Sequence, residues 1–270
     1  MRIKAFSVIK NEEDIIEDWI YHYLYLCGDN NVHIIVNDTT DRTISILEKF
    51  KGKVTVDVKF GEKVQKGYNG RMIESYHNHI HSVIDRYRTE CDVILPVDAD
   101  EFLVKMVKDD QISCSKQEII ETIETYFNSK YDKYRVGWTE AVLTREIYDD
   151  PLLEVQDFIY ASAEKMQKDS KMFFRAQDLV SVFPGQHDGE SRREECLFTN
   201  LSLVHFRFRG ASHFVNKVNK FPKRFAHYQR QNFQKYMNNH QIHLSDRTLI
   251  LEKFQDLKFR EHLIAARKYK

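Results

Sequence analysis

The stretch "VILPVDADEFLV", residues 93–104, decides how the rest of the chain is read. An apolar run breaks at Asp98 and Asp100, with Glu101 beside them, and then resumes. A short apolar run that ends in this way reads as a buried strand. In extended backbone, side chains at i and i+2 project to the same side, so Asp98 and Asp100 are expected to share one face across Ala99. Like charges so placed raise each other's pKa unless a cation lies near them. A hard divalent ion bound through oxygen, Mg²⁺ or Mn²⁺, is the partner that this pattern predicts. Two blander readings compete. A helix cap formed by Asp98 and Glu101 needs a helix after it, and "FLVKMV" has no clear 3.6-residue period. A glycosidase pair needs acids on opposite sides of the scissile bond, which neighbours on one strand cannot supply.

Upstream of this stretch, strand and helix patterns alternate. "IKAFSVI" reads as a strand, followed by the helical "NEEDIIEDWIYHYLYL", in which Asn11 can cap and Ile15, Ile16, Trp19, Ile20 and Tyr23 form an apolar face. "VHIIVND" is a second strand, and "TDRTISILEKF" a helix beginning near Thr40 or Asp41. "VTVDV" is a third strand, then comes a helical stretch from about Asn69 to Arg88, and "DVILPV" is the fourth strand. The alternation predicts an α/β fold with a mostly parallel twisted sheet flanked by helices. Parallel strands share one carboxyl edge, so Lys10-Asn11, Asn37-Asp38 and Asp98-Asp100 are expected to meet at one rim.

Downstream, "KQEIIETIETYF" reads as a helix and "YRVGWTEAVL" as a strand or turn near the core. "KMFFRAQDLVSVFPGQHDG" reads as a pair of strands with a Pro-Gly turn, and "NLSLVHFRF" as another strand. "SHFVNKVNKF" and "SDRTLILEKFQDLKFREHLIAARKY" read as helices, the second capped by Ser245. The expected organisation is a catalytic domain over 1–215 with a helical, basic C-terminal extension over 216–270 packed on it.

Composition narrows the function classes. A chain of 270 residues with 42% hydrophobic content can bury one large core. Its 41 Lys and Arg balance 41 Asp and Glu, so net charge gives no argument for nucleic acid, and none is expected as a partner. The balance hides a basic tail: from His205 onward there are fifteen Lys and Arg against four Asp and Glu. Cys27, Cys91, Cys114 and Cys196 form no CxxC pair, which argues against a zinc ribbon or a disulfide framework and for a cytoplasmic location. The opening residues lack the apolar run of a signal peptide, and no apolar stretch is long enough to span a bilayer. Membrane contact is therefore expected to be peripheral, at the inner face, through the basic C-terminal region.

Three motifs carry a resemblance. "KNEEDIIEDWIYHYL", "IIVNDTTDRT" and "ILPVDADEFL", in this order over roughly the first 105 residues, together resemble the family-2-type glycosyltransferases of the branch with an Asp-x-Asp-Glu-Phe signature, related to the family-92 enzymes. "KMFFRAQ", "PGQHDG" and "LVHFRFRGASHFVNKV" are similar to later segments of that branch. The chain departs from it at Thr39-Thr40, where Gly-Ser or similar is usual. The resemblance implies a GT-A (Rossmann-like) fold, a nucleotide-sugar donor, expected to be UDP-linked, a Mn²⁺ or Mg²⁺ ion, and transfer with inversion to a glycan or lipid-linked glycan in polysaccharide assembly.

On that picture the metal ligands are Asp98, Asp100 and His205, with Asp98 placed nearer the ribose or the water shell of the ion. The donor is bound by Lys10, Asn11, Glu12, Asp38, Arg71, Asp98, Arg209 and Lys217. The acceptor hydroxyl loses its proton to a general base on the face opposite the leaving group, and Asp188, His187 and Glu140 are the candidates. Sequence does not choose among them.

Other function classes touch parts of the same sequence. The tail "FPKRFAHYQRQNFQKY" interleaves cations with rings as a nucleic-acid or membrane surface does, but carries no recognisable nucleic-acid motif. A divalent-metal nucleotidyltransferase also uses paired aspartates, but its phosphate-cradling glycine-rich loop is not evident among nine glycines. His77 and His81 fall on one helical face, yet no third zinc ligand stands near them, which favours a solvated helix surface.

Overall fold

The computed structural model describes residues 1–59, 80–108, 111–143, 158–162, 171–183 and 188–206. Strands β1 (Ile3–Ile9), β2 (Val32–Asn37), β3 (Thr55–Lys59) and β4 (Val93–Pro96) alternate with helices α1 (Ile16–Cys27), α2 (Thr43–Glu48) and α3 (80–87). Then follow β5 (Glu101–Lys108), β6 (Gln111–Ser113), α4 (Lys116–Phe127), β7 (Lys133–Leu143), β8 (Phe158–Ser162) and β9 (Met172–Arg175). A single 3-10 turn, Ala176–Asp178, leads into β10 (Leu179–Val182), β11 (Gly189–Ser191) and β12 (Cys196–His205).

Ten of these strands form one sheet in the order β3-β2-β1-β4-β9-β7-β12-β5-β6, with β8 on β7, while β10 and β11 form a separate ribbon. The β3-β2-β1-β4 part is parallel throughout. It is the Rossmann-like unit that the strand–helix alternation predicts. Antiparallel pairing of β9 with β4 and with β7 then widens the sheet, and β12 runs parallel to β7 and antiparallel to β5.

Strands β1, β2 and β4 are buried on both faces, which explains why they are nearly continuous in apolar residues. Ile3, Ala5 and Ile9 of β1, and Val93 and Leu95 of β4, point into a core shared with Ile16, Trp19, Ile20, Tyr23 and Leu26 of α1. Phe6 and Ile94, one residue out of phase, point into a second core with Ile80, Val83, Ile84 and Tyr87 of α3. Each buried Val, Leu, Ile or Phe among them contributes roughly 1.5–3 kcal/mol, so the alternation fixes the register.

Local chemistry adjusts the expected boundaries. Asn11 does not cap α1: its φ is 55°, the helix starts at Ile16, and its preceding residue Ile15 makes no side-chain cap. The side chain of Asn11 is used instead across the β1 and β2 loops. The second helix is only six residues long, starting after the Asp41 carboxylate accepts from the Thr43 N–H at 3.0 Å. The expected α4 is present over its full predicted span, capped by Ser115 Oγ, which accepts from the Glu118 N–H. The Pro-Gly turn, both C-terminal helices and the 216–270 extension lie outside the described residues. No helix among the described residues is long and apolar enough to cross a membrane.

Candidate functional site

Parallel pairing brings the exits of β1, β2 and β4 to one edge. Phe6 is the register partner of His33 on one side and of Pro96 on the other, and the Val97 N–H donates to the Phe6 carbonyl at 3.1 Å. In this strand order the chain passes from one side of β1 to the other, and the crevice beyond such a switch point is where open α/β sheets bind ligands.

The β1 and β2 exits are tied together by hydrogen bonds. Lys10 Nζ lies 3.5 Å from Asp38 Oδ2. The Thr40 N–H donates to Asn11 Oδ1 at 2.8 Å, and the Asn11 N–H donates to Thr39 Oγ1 at 3.2 Å. The Glu12 N–H donates to Thr43 Oγ1 at 3.0 Å, and the Glu12 carbonyl accepts from Ile15 and Ile16. Asn11 and Asp38 both have positive φ, 55° and 47°, a region that asparagine and aspartate enter more readily than most residues. The Thr39-Thr40 pair, where the sequence departs from the branch it resembles, thus supplies the hydroxyls that fasten the two loops.

The β4 exit differs from the sequence expectation. The strand ends at Pro96, and the Glu101 N–H donates to the Asp98 carbonyl at 3.1 Å, so 98–101 is a turn and the two-residue rule for extended backbone does not apply to it. Glu101 Oε2 accepts from the Asp98 N–H at 2.9 Å. This is one half of the capping-box bond, made at the head of a strand instead of a helix. Two aromatic residues one turn apart on α1 brace the turn. Trp19 Nε1 donates to the Asp98 carbonyl at 3.0 Å, and the Tyr23 hydroxyl donates to the Glu101 carbonyl at 3.1 Å while accepting from the Leu103 N–H at 3.2 Å.

The carboxylates of this turn have separate partners. Asp98 Oδ2 accepts from Lys171 Nζ at 2.9 Å, and that ammonium is also 3.9 Å from Glu101 Oε2. Asp100 Oδ2 lies 3.5 Å from His205 Nε2. The antiparallel register explains both meetings. Phe174 of β9 pairs with Ile94 of β4, so the chain three residues earlier, at Lys171, arrives beside the end of β4. His205 of β12 pairs with Glu101 of β5, and the Phe206 N–H donates to the Asp100 carbonyl at 2.8 Å. The ring of Trp138 sits edge-on to His205 with centroids 4.8 Å apart. Burial lifts the Glu101 carboxyl to about 7, with Lys171 opposing the rise and Asp98 adding to it.

Asp100 and His205 offer one carboxylate oxygen and one imidazole nitrogen at a spacing that fits a hard ion, whose adjacent ligands at bonds of about 2.1 Å stand about 3 Å apart. Among the described residues no group of three or more His, Cys, Asp and Glu could hold a metal. That is compatible with Mg²⁺-type binding, in which one or two protein donors are completed by water and substrate phosphates.

Glu140 is the register partner of His205 on β7, which puts its backbone beside the metal-ligand candidate. Asp188 is elsewhere. Its carboxylate is 3.6 Å from Lys133 Nζ, at the other end of β7, and accepts from the Gly189 N–H. Arg71, His77, His187, Arg209 and Lys217 lie outside the described residues. Sequence reasoning missed Lys171, the most buried charged side chain at this rim. Its sequence signal is the lysine that opens "KMFFRAQ", directly before the apolar "MFF" run.

No protein-family model matches the sequence. No curated protein sequence does either. Among solved structures, S. aureus TarS 1-349 in complex with UDP-GlcNAc overlaps 86% of this chain and 74% of its own, at a TM-score of 0.45 and 12% identity. A second structure of S. aureus TarS 1-349 overlaps 65% of this chain at a TM-score of 0.39 and 15% identity, and this chain spans about half of it, 47%. A 4-diphosphocytidyl-2C-methyl-D-erythritol synthase overlaps 65% of this chain and 76% of its own, at a TM-score of 0.33 and 12% identity. Overlap this loose carries no argument about activity.

Proposed function

We propose that the chain is a glycosyltransferase that moves a sugar from a nucleotide-sugar donor, UDP-linked, to a hydroxyl of a glycan or lipid-linked glycan, with inversion at the anomeric carbon. The observation that supports this best is the single rim at which Asp100 pairs with His205 while Asp98, half-exposed, is held by Lys171. The three motifs that carry the resemblance end the strands β1, β2 and β4, whose exits share this rim.

On this reading Asp38 accepts hydrogen bonds from the base or ribose, with Lys10 setting its position and Asn11 holding the loop. Asp98 accepts from donor hydroxyls. Asp100 and His205 would hold Mn²⁺ or Mg²⁺, which would supply Lewis-acid stabilisation for the departing diphosphate. Glu140 takes the proton of the acceptor hydroxyl as that oxygen bonds to the anomeric carbon and the bond from that carbon to the diphosphate breaks. Arg71, Arg209 and Lys217 are assigned to the phosphates. The basic C-terminal region is assigned to peripheral contact with anionic lipid, and the location to the cytoplasm.

The test is a thermal-shift panel of nucleotide sugars with and without Mn²⁺, since a ligand that binds only the native state raises its stability with occupancy. A Mn²⁺-dependent shift with one donor, absent in Asp100→Ala, is expected. No shift with any donor, or an equal shift in Asp100→Ala, would reject the proposal.

A further inference from the structure

We infer that Lys171 is a positioning residue that keeps Asp98 off the metal and fixes it as an acceptor for the nucleotide part of the donor. This rests on the function proposed above and gives a role to the lysine that opens "KMFFRAQ".

The argument starts from burial. Lys171 is 1% exposed, whereas the Asp98 side chain that it meets is 47% exposed. A buried ammonium is costly, and replacing a buried ion pair by apolar side chains of similar volume is often neutral or stabilising. Stability alone therefore gives little reason for a lysine here, in contrast to the apolar Met172, Phe173 and Phe174 that follow it.

Geometry supplies the reason. Asp98 is held at two points: its N–H by Glu101 Oε2 at 2.9 Å, and its Oδ2 by Lys171 Nζ at 2.9 Å. With Oδ2 engaged by Lys171 and the side chain 47% exposed, the protein fixes the position from which this carboxylate accepts. Lys171 also lies 3.9 Å from Glu101, so one ammonium serves two of the three carboxylates in the turn. The third, Asp100, has His205 at 3.5 Å. The clustered acids were expected to be held together by a dication between Asp98 and Asp100. For Asp98, the nearby cation belongs to the chain itself, 73 residues away in sequence. A carboxylate already paired with an ammonium is a poorer metal ligand, because the metal must compete for its lone pairs and is repelled by the fixed charge. Lys171 thus divides the labour of two neighbouring aspartates.

The two roles make changes of opposite sign when the lysine is removed. Lys171→Met keeps the volume and leaves Asp98 free to turn toward the metal. Calorimetry with Mn²⁺ alone, and with a panel of UDP, GDP, CDP, ADP and dTDP in saturating Mn²⁺, reads both effects. The expected result is that Mn²⁺ alone binds Lys171→Met about threefold tighter, whereas the nucleoside diphosphate that binds wild type is held about tenfold more weakly or worse. Adding Asp98→Asn to Lys171→Met should abolish the gain in Mn²⁺ affinity, because the released carboxylate is gone. Should Lys171→Met not fold, Lys171→Gln goes through the same titrations. Metal and nucleotide affinities that both stay at wild-type values, or that both fall together, would overturn the inference while leaving the glycosyltransferase reading intact. So would a Mn²⁺ gain that persists in the double variant. Wild-type protein that binds none of the panel would overturn the glycosyltransferase reading, and this inference with it.

Discussion

His205 Nε2 stands 3.5 Å from Asp100 Oδ2, across 105 residues of sequence, because β12 returns antiparallel to β5 with His205 opposite Glu101. Removing either side chain should therefore affect the same step. Asp100→Asn and His205→Ala are each expected to lower Mn²⁺-dependent turnover of the donor by about 100-fold or more, with little change in far-UV circular dichroism. The double variant should be no worse than the poorer single one. Fully multiplicative losses would show that the two residues act independently.

Glu101 predicts a pH dependence of stability. Burial raises its folded-state pKa from 4.5 to about 7. A raised carboxyl pKa means that the folded state favours the protonated form, so its contribution is present below about pH 4.5 and is lost as pH rises through about 7. The loss is on the order of 3 kcal/mol at most. Urea unfolding at intervals from pH 4.5 to 8, in chelator so that no metal occupies the rim, should show a decline in wild type that flattens in Glu101→Gln. An equal decline in the variant would assign it to another group.

Trp19 links the core to the rim. It is fully buried, and its indole N–H donates to the Asp98 carbonyl at 3.0 Å. Trp19→Phe loses that bond and leaves a small cavity, at a cost of about 1–3 kcal/mol. Chemical denaturation measures the cost. A stability within 0.5 kcal/mol of wild type, roughly the scatter of neutral substitutions, would mean that the turn does not depend on α1.

Gly189 has no room for a side chain. A Cβ there would lie 2.5 Å from the Ser181 carbonyl oxygen and 2.9 Å from the Phe174 ring. Gly189→Ala should destabilise the protein by about 1–3 kcal/mol through overpacking. It should act through the β10–β11 ribbon and leave Mn²⁺ affinity unchanged, as titration of the folded variant would show.

Asn11 combines a φ of 55° with a side chain that accepts from the Thr40 N–H. Asn11→Ala loses both the bond and the tolerance for left-handed backbone, for about 1–2 kcal/mol. Asn11→Gly keeps the backbone freedom and should cost less. If the two variants are equally stable, the hydrogen bond and not the backbone governs this loop.

Local pattern determined much of the architecture. β1 is present over the predicted "IKAFSVI" and α4 over "KQEIIETIETYF", because apolar spacing and the Ser115 cap are properties of neighbouring residues. The parallel direction of the first four strands and the shared edge of their exits follow from alternation and crossover handedness. The rim was less legible. Asn11 reads as a helix cap by its local context, and only the approach of the β2 loop turns its side chain toward Thr40. Likewise, "VDADEF" announces a cluster of acids, but not that Asp98 meets Lys171 while Asp100 meets His205. Those pairings depend on β9 inserting antiparallel next to β4 and on β12 pairing antiparallel with β5. Such long-range registers are set by which apolar faces fill the two cores together, and no window of sequence contains that information.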